Sequence, residues 1–132
     1  MSSLAFALMG CKKQAPEEQS SETAVPTSVE EIERIATDAG YTCKRKEEVG
    51  IKEINDDLEV AKVCGEVINC LTVSSSADHT GVIVFEFDSE ESATEFYGHA
   101  EEMLGKLKDG MSKERRGKLF IYGNTSVIDR IW

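Results

Sequence analysis

Apolar residues recur at helical spacing in two segments of the chain. In residues 29–39 they lie three or four positions apart, behind a capping box in which Ser28 and Glu31 satisfy free backbone N–H groups. In residues 88–109 a longer apolar stripe follows an acidic first turn, which the helix dipole favours. A glycine follows each segment, as is typical of helix ends. The pattern therefore predicts two amphipathic helices.

Shorter runs of β-branched and apolar residues predict strands. The predicted strands are residues 41–46, 66–74, 82–87, 111–115 and 118–122. The third of these is apolar almost throughout, which indicates a central strand, and the last two form a hairpin that turns at Gly117. Residues 47–64 have mixed spacing and are interpreted as a short helix. A terminal helix that begins after Asn124 completes the chain.

This order of elements predicts an α+β fold. Strand pairs imply antiparallel pairing, and each pair leads into a helix that packs on the sheet. We therefore expect a two-layer sandwich of antiparallel sheet and helices over residues 28–132. By analogy of element order, the arrangement resembles the ferredoxin-like fold.

The N-terminus has a different character from the rest of the chain. Residues 4–9 form a short apolar run that closes in Leu8-Met9-Gly10-Cys11. This motif resembles the lipobox of bacterial lipoproteins, and the chain as a whole resembles the small lipoproteins of the bacterial envelope. The resemblance implies a signal-peptide remnant over residues 1–11 and a diacylglyceryl thioether on Cys11. It also implies a further acyl chain on the new amino terminus and an extracytoplasmic location at the cell membrane or outer envelope.

The segment after the lipobox predicts a tether. Residues 12–27 contain both prolines of the protein and almost no bulky apolar side chain. Such a segment cannot bury enough surface to offset the entropy of ordering. We expect it to act as a flexible linker between the membrane and the folded domain.

Charge narrows the classes of partner. The chain has 15 Lys and Arg against 25 Asp and Glu, a net charge of −10. So acidic a domain repels phosphates, which argues against a nucleic-acid partner. We expect a binding or interaction domain for an unknown protein or small molecule, with no cofactor. The alternatives are a small envelope hydrolase and a structural or inhibitory module.

The chain has few cysteine and histidine residues, and their spacing does not match a metal-binding motif. With Cys11 lipidated, Cys43, Cys64 and Cys70 are left, which we interpret as free thiols, with a bond from Cys43 to either of the others as the alternative. Because the chain has two histidines and no Cys-x-x-Cys, a metal site is disfavoured. His99 lies off the apolar stripe and is predicted to be a surface residue.

One turn has the residue types of a hydrolase. Residues 74–76 are serines and precede Asp78 and His79. Ser, Asp and His are also common in ordinary turns, and we assign no catalytic, cofactor-binding or metal-binding residue. The basic clusters at residues 44–46 and 113–116 are predicted to lie on strand edges, where charge discourages edge-to-edge pairing.

Overall fold

The computed structural model describes residues 26–132, which contain four helices and five strands. The helices are α1 (Val29–Asp38), α2 (Glu48–Val60), α3 (Glu90–Leu104) and α4 (Thr125–Ile131). The strands are β1 (Thr42–Arg45), β2 (Val67–Ser75), β3 (Thr80–Phe87), β4 (Met111–Arg116) and β5 (Leu119–Asn124). The predicted lipobox with Cys11, and the tether up to residue 25, lie outside the described residues.

The strands form one antiparallel sheet in the order β1-β2-β3-β5-β4. The α+β class with helices packed on an antiparallel sheet is therefore confirmed. β3 lies at the centre, as its apolar composition predicts. The two strands with basic clusters, β1 and β4, are the two edges.

The predicted two-layer sandwich would have helices on one face of the sheet, but in the structure helices cover both faces. On one face, α1 and α4 pack over Leu71, Val84 and Ile121. On the other face, α2 and α3 pack over side chains that include Phe85 and Phe120. The cause lies in the central strands, which are apolar on both sides and need cover on both.

The strand order also differs from a ferredoxin-like arrangement. That fold interleaves two split β-α-β units. Here α3 connects β3 to β4 with β5 between them, which is one such unit. The strands on either side of α2, β1 and β2, are instead direct antiparallel neighbours. The short β1 thus closes one edge of the sheet.

The helix ends follow the predicted signals with small shifts. The Ser28 hydroxyl accepts from the Glu31 backbone N–H at 3.2 Å, but the Glu31 carboxylate accepts from the N–H of Thr27 rather than from that of Ser28. α3 begins after Ser89, whose hydroxyl caps it, rather than after Asp88. It ends at Leu104, before the predicted stop at residue 110, because Gly105 has φ +107°.

Four phenylalanines form the centre of the core under α3. The Phe96 ring lies 5.3 Å from the Phe85 and Phe87 rings and 5.0 Å from the Phe120 ring, between centroids. Edge-to-face and tilted contacts of this kind are favourable for aromatic pairs. The cluster fixes α3 on the sheet and confirms the apolar stripe around Phe96.

Candidate functional site

The turn with hydrolase-like residues is a structural turn. The Thr80 hydroxyl donates to the Asp78 carboxylate at 2.7 Å. Hydrogen bonds from Thr80 and then Ser75 lower the pKa of Asp78. The intervening His79 adopts a left-handed conformation with φ +57°. Asp78 therefore stabilises the β2–β3 turn.

His99 lies on the surface of α3, as predicted. Its side chain is 41% exposed, and Nδ1 lies 2.8 Å from a Glu102 carboxylate oxygen. The other ring nitrogen lies 3.6 Å from Glu95. The hydrogen bond to Glu102 is the main reason why the pKa of His99 is raised.

Each of the three cysteines in the described residues is a free thiol. Cys70 is buried in the core, and burial raises its pKa to about 11. Cys43 is half-buried beneath α1, and Cys64 is exposed in the loop before β2. The interpretation as free thiols agrees with this arrangement, although only Cys70 is fully enclosed. Within residues 26–132, no group of three His, Cys, Asp or Glu side chains is placed to hold a metal ion.

The basic clusters lie on the sheet edges and are partly neutralised there. On β4, Lys113 donates to the Tyr97 carbonyl at 2.9 Å and lies over the Tyr97 ring. Arg115 approaches Glu90 at 3.5 Å. On β1, Arg45 pairs with Glu33 at 3.0 Å. These contacts connect the edge strands to α3 and α1.

A wide concavity of the described residues lies between α2 and the start of β2. We call it the α2–β2 groove; it is open to solvent and encloses about 1250 Å³. Its lining residues are Glu48, Val49, Ile51, Lys52, Asn55, Asp56, Glu59, Val63, Gly65, Glu66, Val67 and Ile68. The sequence pattern predicts no site in this segment.

A β-bulge shapes the floor of the α2–β2 groove. The register with β3 shifts between Val67 and Asn69, so that Ile68 is the extra residue. Val67 is buried on the face that α2 covers, and Ile68 is extruded with 44% exposure. Across the groove, Val49 at the start of α2 is 71% exposed. Two branched apolar side chains thus face solvent in one concavity.

Asn55 fixes α2 against β2 beside this bulge. Its amide nitrogen donates to the Val67 carbonyl at 3.0 Å, and its amide oxygen accepts from the Val67 N–H at 2.8 Å. β1 pairs with β2 only from Leu71 onward. The Asn55 side chain therefore occupies the position of a neighbouring strand at Val67, and both backbone groups of this buried residue are satisfied.

The end of the groove is held by a close contact between Gly65 and α3. Gly65 has φ +103°, and a side chain there would collide with Ser92. The Ser92 hydroxyl donates to the Asp88 carboxylate at 2.7 Å, and this bond lowers the pKa of Asp88. The loop before β2 therefore has a defined position.

The rim of the α2–β2 groove is acidic. Its one basic residue, Lys52, donates to Asp56 at 3.0 Å, and this hydrogen bond raises the pKa of Lys52. Glu48, Glu59 and Glu66 form no ion pair with another described residue. The groove thus presents apolar surface surrounded by uncompensated negative charge.

Within residues 26–132, the groups with shifted pKa values are spread over the domain rather than gathered at the groove. Active sites gather groups with shifted pKa values around a cleft. Among the described residues whose pKa is shifted, Lys52 alone lines the groove. The others are Glu31, Cys70, Asp78, Asp88 and His99, which lie elsewhere.

Two further findings complete the description of the chain. Over residues 26–132, each helix is too short or too polar to pass through a bilayer. Comparisons with protein-family models, curated proteins and solved structures give no match to this chain.

Proposed function

We propose that the chain is a lipid-anchored, extracytoplasmic binding domain of the cell envelope, and that the α2–β2 groove is its binding surface. The observation that carries the proposal is the pair of exposed apolar side chains, Val49 and Ile68, in one open concavity. Exposed apolar surface with a polar rim is typical of interaction sites. The scattered positions of the groups with shifted pKa favour this function over a hydrolase.

The anchor is the second part of the proposal, and the sequence supports it. Cys11 ends a lipobox-like motif, and a proline-containing polar segment follows. Each buried methylene of an acyl chain contributes about 0.8 kcal/mol to membrane binding, and two chains hold a protein stably. The net negative charge of the domain cannot replace a lipid anchor, because it opposes association with anionic lipids.

Fractionation of the native host tests the anchor. We expect the protein in the membrane fraction, with its N-terminus at a lipid-modified Cys11 by mass spectrometry. The Cys11→Ala variant should appear in soluble fractions. A cytosolic protein that retains Met1, or a Cys11→Ala variant that stays on the membrane, would refute the anchor.

Site-directed cross-linking in the same host tests the groove. A photoreactive amino acid at Val49 should give a discrete adduct, whereas one at the exposed Asp129 on α4, on the opposite face, should not. Replacing Ile68 by serine should reduce the Val49 adduct. Equal adducts at both positions, or none at Val49, would contradict the assignment of the groove.

A further inference from the structure

We infer that the α2–β2 groove binds a short cationic peptide segment of a partner protein, with branched apolar side chains between its basic residues. This inference rests on the proposed function, in which the groove is the binding surface. It adds the chemical class of the ligand. Three features of the groove support this ligand class: its apolar lining, its negative rim and its fixed geometry.

The apolar part of the groove selects side chains rather than a polar solute. Val49 and Ile68 are exposed at its sides, and Val63 and Val67 are buried at its base. Removing such surfaces from water is the main favourable contribution to association. A ligand must therefore bring apolar groups of its own, and aliphatic side chains match this lining.

The charge of the rim selects the sign of the ligand. Four carboxylates and one ammonium group line the groove, which gives a net charge of −3. Since Lys52 is already paired with Asp56, the charges that face an incoming ligand are those of Glu48, Glu59 and Glu66. Complementary potentials speed encounter and exclude partners of like charge. Lysine and arginine side chains fit this rim, and an acidic peptide is repelled.

The large exposed apolar side chains of residues 26–132 are Val49, Val60, Ile68 and Tyr97. Val60, at the end of α2, is exposed outside the groove, whereas Val49 and Ile68 line the groove together. Tyr97 already lies beneath Lys113, whose Nζ is 4.4 Å from the ring centroid. Exposed aliphatic surface and unpaired carboxylates therefore coincide at the groove. A cationic peptide bound only by net charge would instead spread over the acidic helix surfaces.

The groove is also preorganised, which lowers the entropic cost of binding. The two hydrogen bonds of Asn55 hold α2 to Val67. The contact of Gly65 with Ser92 holds the loop that connects α2 to β2. A peptide can enter without a prior rearrangement of these elements.

Peptide titration monitored by NMR tests the ligand class. The probe is a peptide that alternates lysine and valine, added to the full 132-residue chain with Cys11→Ala to keep it unlipidated. The controls replace every lysine by glutamate, or every valine by serine. We expect the first peptide to shift the Val49 and Ile68 amides, the glutamate peptide to leave them unchanged, and the serine peptide to bind at least about tenfold more weakly.

Paired charge variants localise the effect. Glu48→Gln with Glu66→Gln should weaken the lysine–valine peptide about three- to tenfold, as expected for two solvated ion pairs. Glu91→Gln with Glu114→Gln, a matched pair of changes outside the groove, should leave affinity unchanged. Equal weakening by both changes, or equal binding of the lysine–valine and lysine–serine peptides, would overturn the inference.

Further outcomes separate this inference from the proposed function and from other occupants. If no peptide shifts the groove amides while the Val49 adduct still forms in the host, the ligand class is refuted and the binding function stands. Loss of the adduct as well refutes both. Two outcomes would assign the groove to another occupant and would overturn the inference. If the groove amides shift when Lys12→Gln and Lys13→Gln are introduced without peptide, the chain's own tether occupies the groove. If they shift on dilution without peptide, a second copy of the chain occupies it.

Discussion

Replacing Asn55 by alanine tests the contact that fixes α2 against β2. The substitution removes the donor and the acceptor that serve the N–H and C=O of Val67. Val67 is only 1% exposed, so water does not reach its backbone groups without a local opening. Each buried group left without a partner costs about 1–3 kcal/mol. The higher helix propensity of alanine returns roughly 0.5 kcal/mol.

We therefore expect Asn55→Ala to lower the free energy of unfolding by about 2–5 kcal/mol. For a domain of this size, that corresponds to a fall in Tm of roughly 10 °C or more. Urea denaturation followed by circular dichroism measures the first quantity, and a thermal scan measures the second. Hydrogen exchange at the Val67 amide locates the effect, since that proton should lose its protection ahead of the β3 amides.

A matched variant on the same helix controls for general effects on α2. Asp57 is exposed and forms no ion pair with another described residue, so Asp57→Ala should change stability by less than about 0.5 kcal/mol. If Asn55→Ala were equally mild and Val67 stayed protected, the amide would not be completing the edge of β2. The groove would then not be preorganised by this contact.

Three further predictions concern the core, the thiols and titration. Phe96→Ala should cost about 3–5 kcal/mol in urea denaturation because it empties the centre of the phenylalanine cluster, whereas His99→Ala should leave stability nearly unchanged; the reverse order would contradict the assigned helix face. In the folded protein at pH 8, a thiol reagent should label Cys64 rapidly and Cys70 only after unfolding, since burial raises the pKa of Cys70 to about 11; equal rates would contradict its burial. By NMR, the pKa of His99 should lie above its ordinary value because Glu102 hydrogen-bonds to the ring. The contribution of this bond to the free energy of unfolding is therefore complete below the ordinary pKa and is lost as the pH rises through the pKa of the folded state. An unshifted titration would show that the bond is absent.

Elements with strong local signals could be predicted from the sequence. The cap at Ser28 and the stripe around Phe96 specify their helices by contacts within a few residues, and the structure has both. The hairpin at Gly117 follows for the same reason, since φ of +59° at that glycine suits a tight turn. Local chemistry decides such features before any tertiary contact forms.

Helices on both faces of the sheet are predictable from the apolar composition of the central strands. Residues 119–123 are all buried, and β3 alternates between two apolar faces rather than between an apolar and a polar one. Strands of this kind require helices on both sides. The strand order is harder to predict from the sequence, because the insertion of β5 between β3 and β4 depends on pairing between distant segments.

The candidate site arises where the periodicity of the sequence fails. In a regular strand, Val67 would share a face with Leu71, and Ile68 would share a face with Cys70. The bulge reverses this assignment, so that Val67 joins Cys70 beneath α2 and Ile68 is extruded into the groove. An alternating pattern cannot reveal such a reversal, because one inserted residue changes the parity of everything before it.

The hydrogen bonds of Asn55 stabilise the irregular start of β2. A bulge at a place where β1 no longer pairs with β2 would leave the Val67 backbone without partners, and a polar side chain from α2 supplies them. The same contact holds Val49 and Ile68 on opposite sides of one concavity rather than letting them collapse together. The exposure of Ile68 and the two hydrogen bonds of Asn55 to Val67 thus both follow from the bulge, which is why a site here is visible in the structure and not in the spacing of residues 47–68.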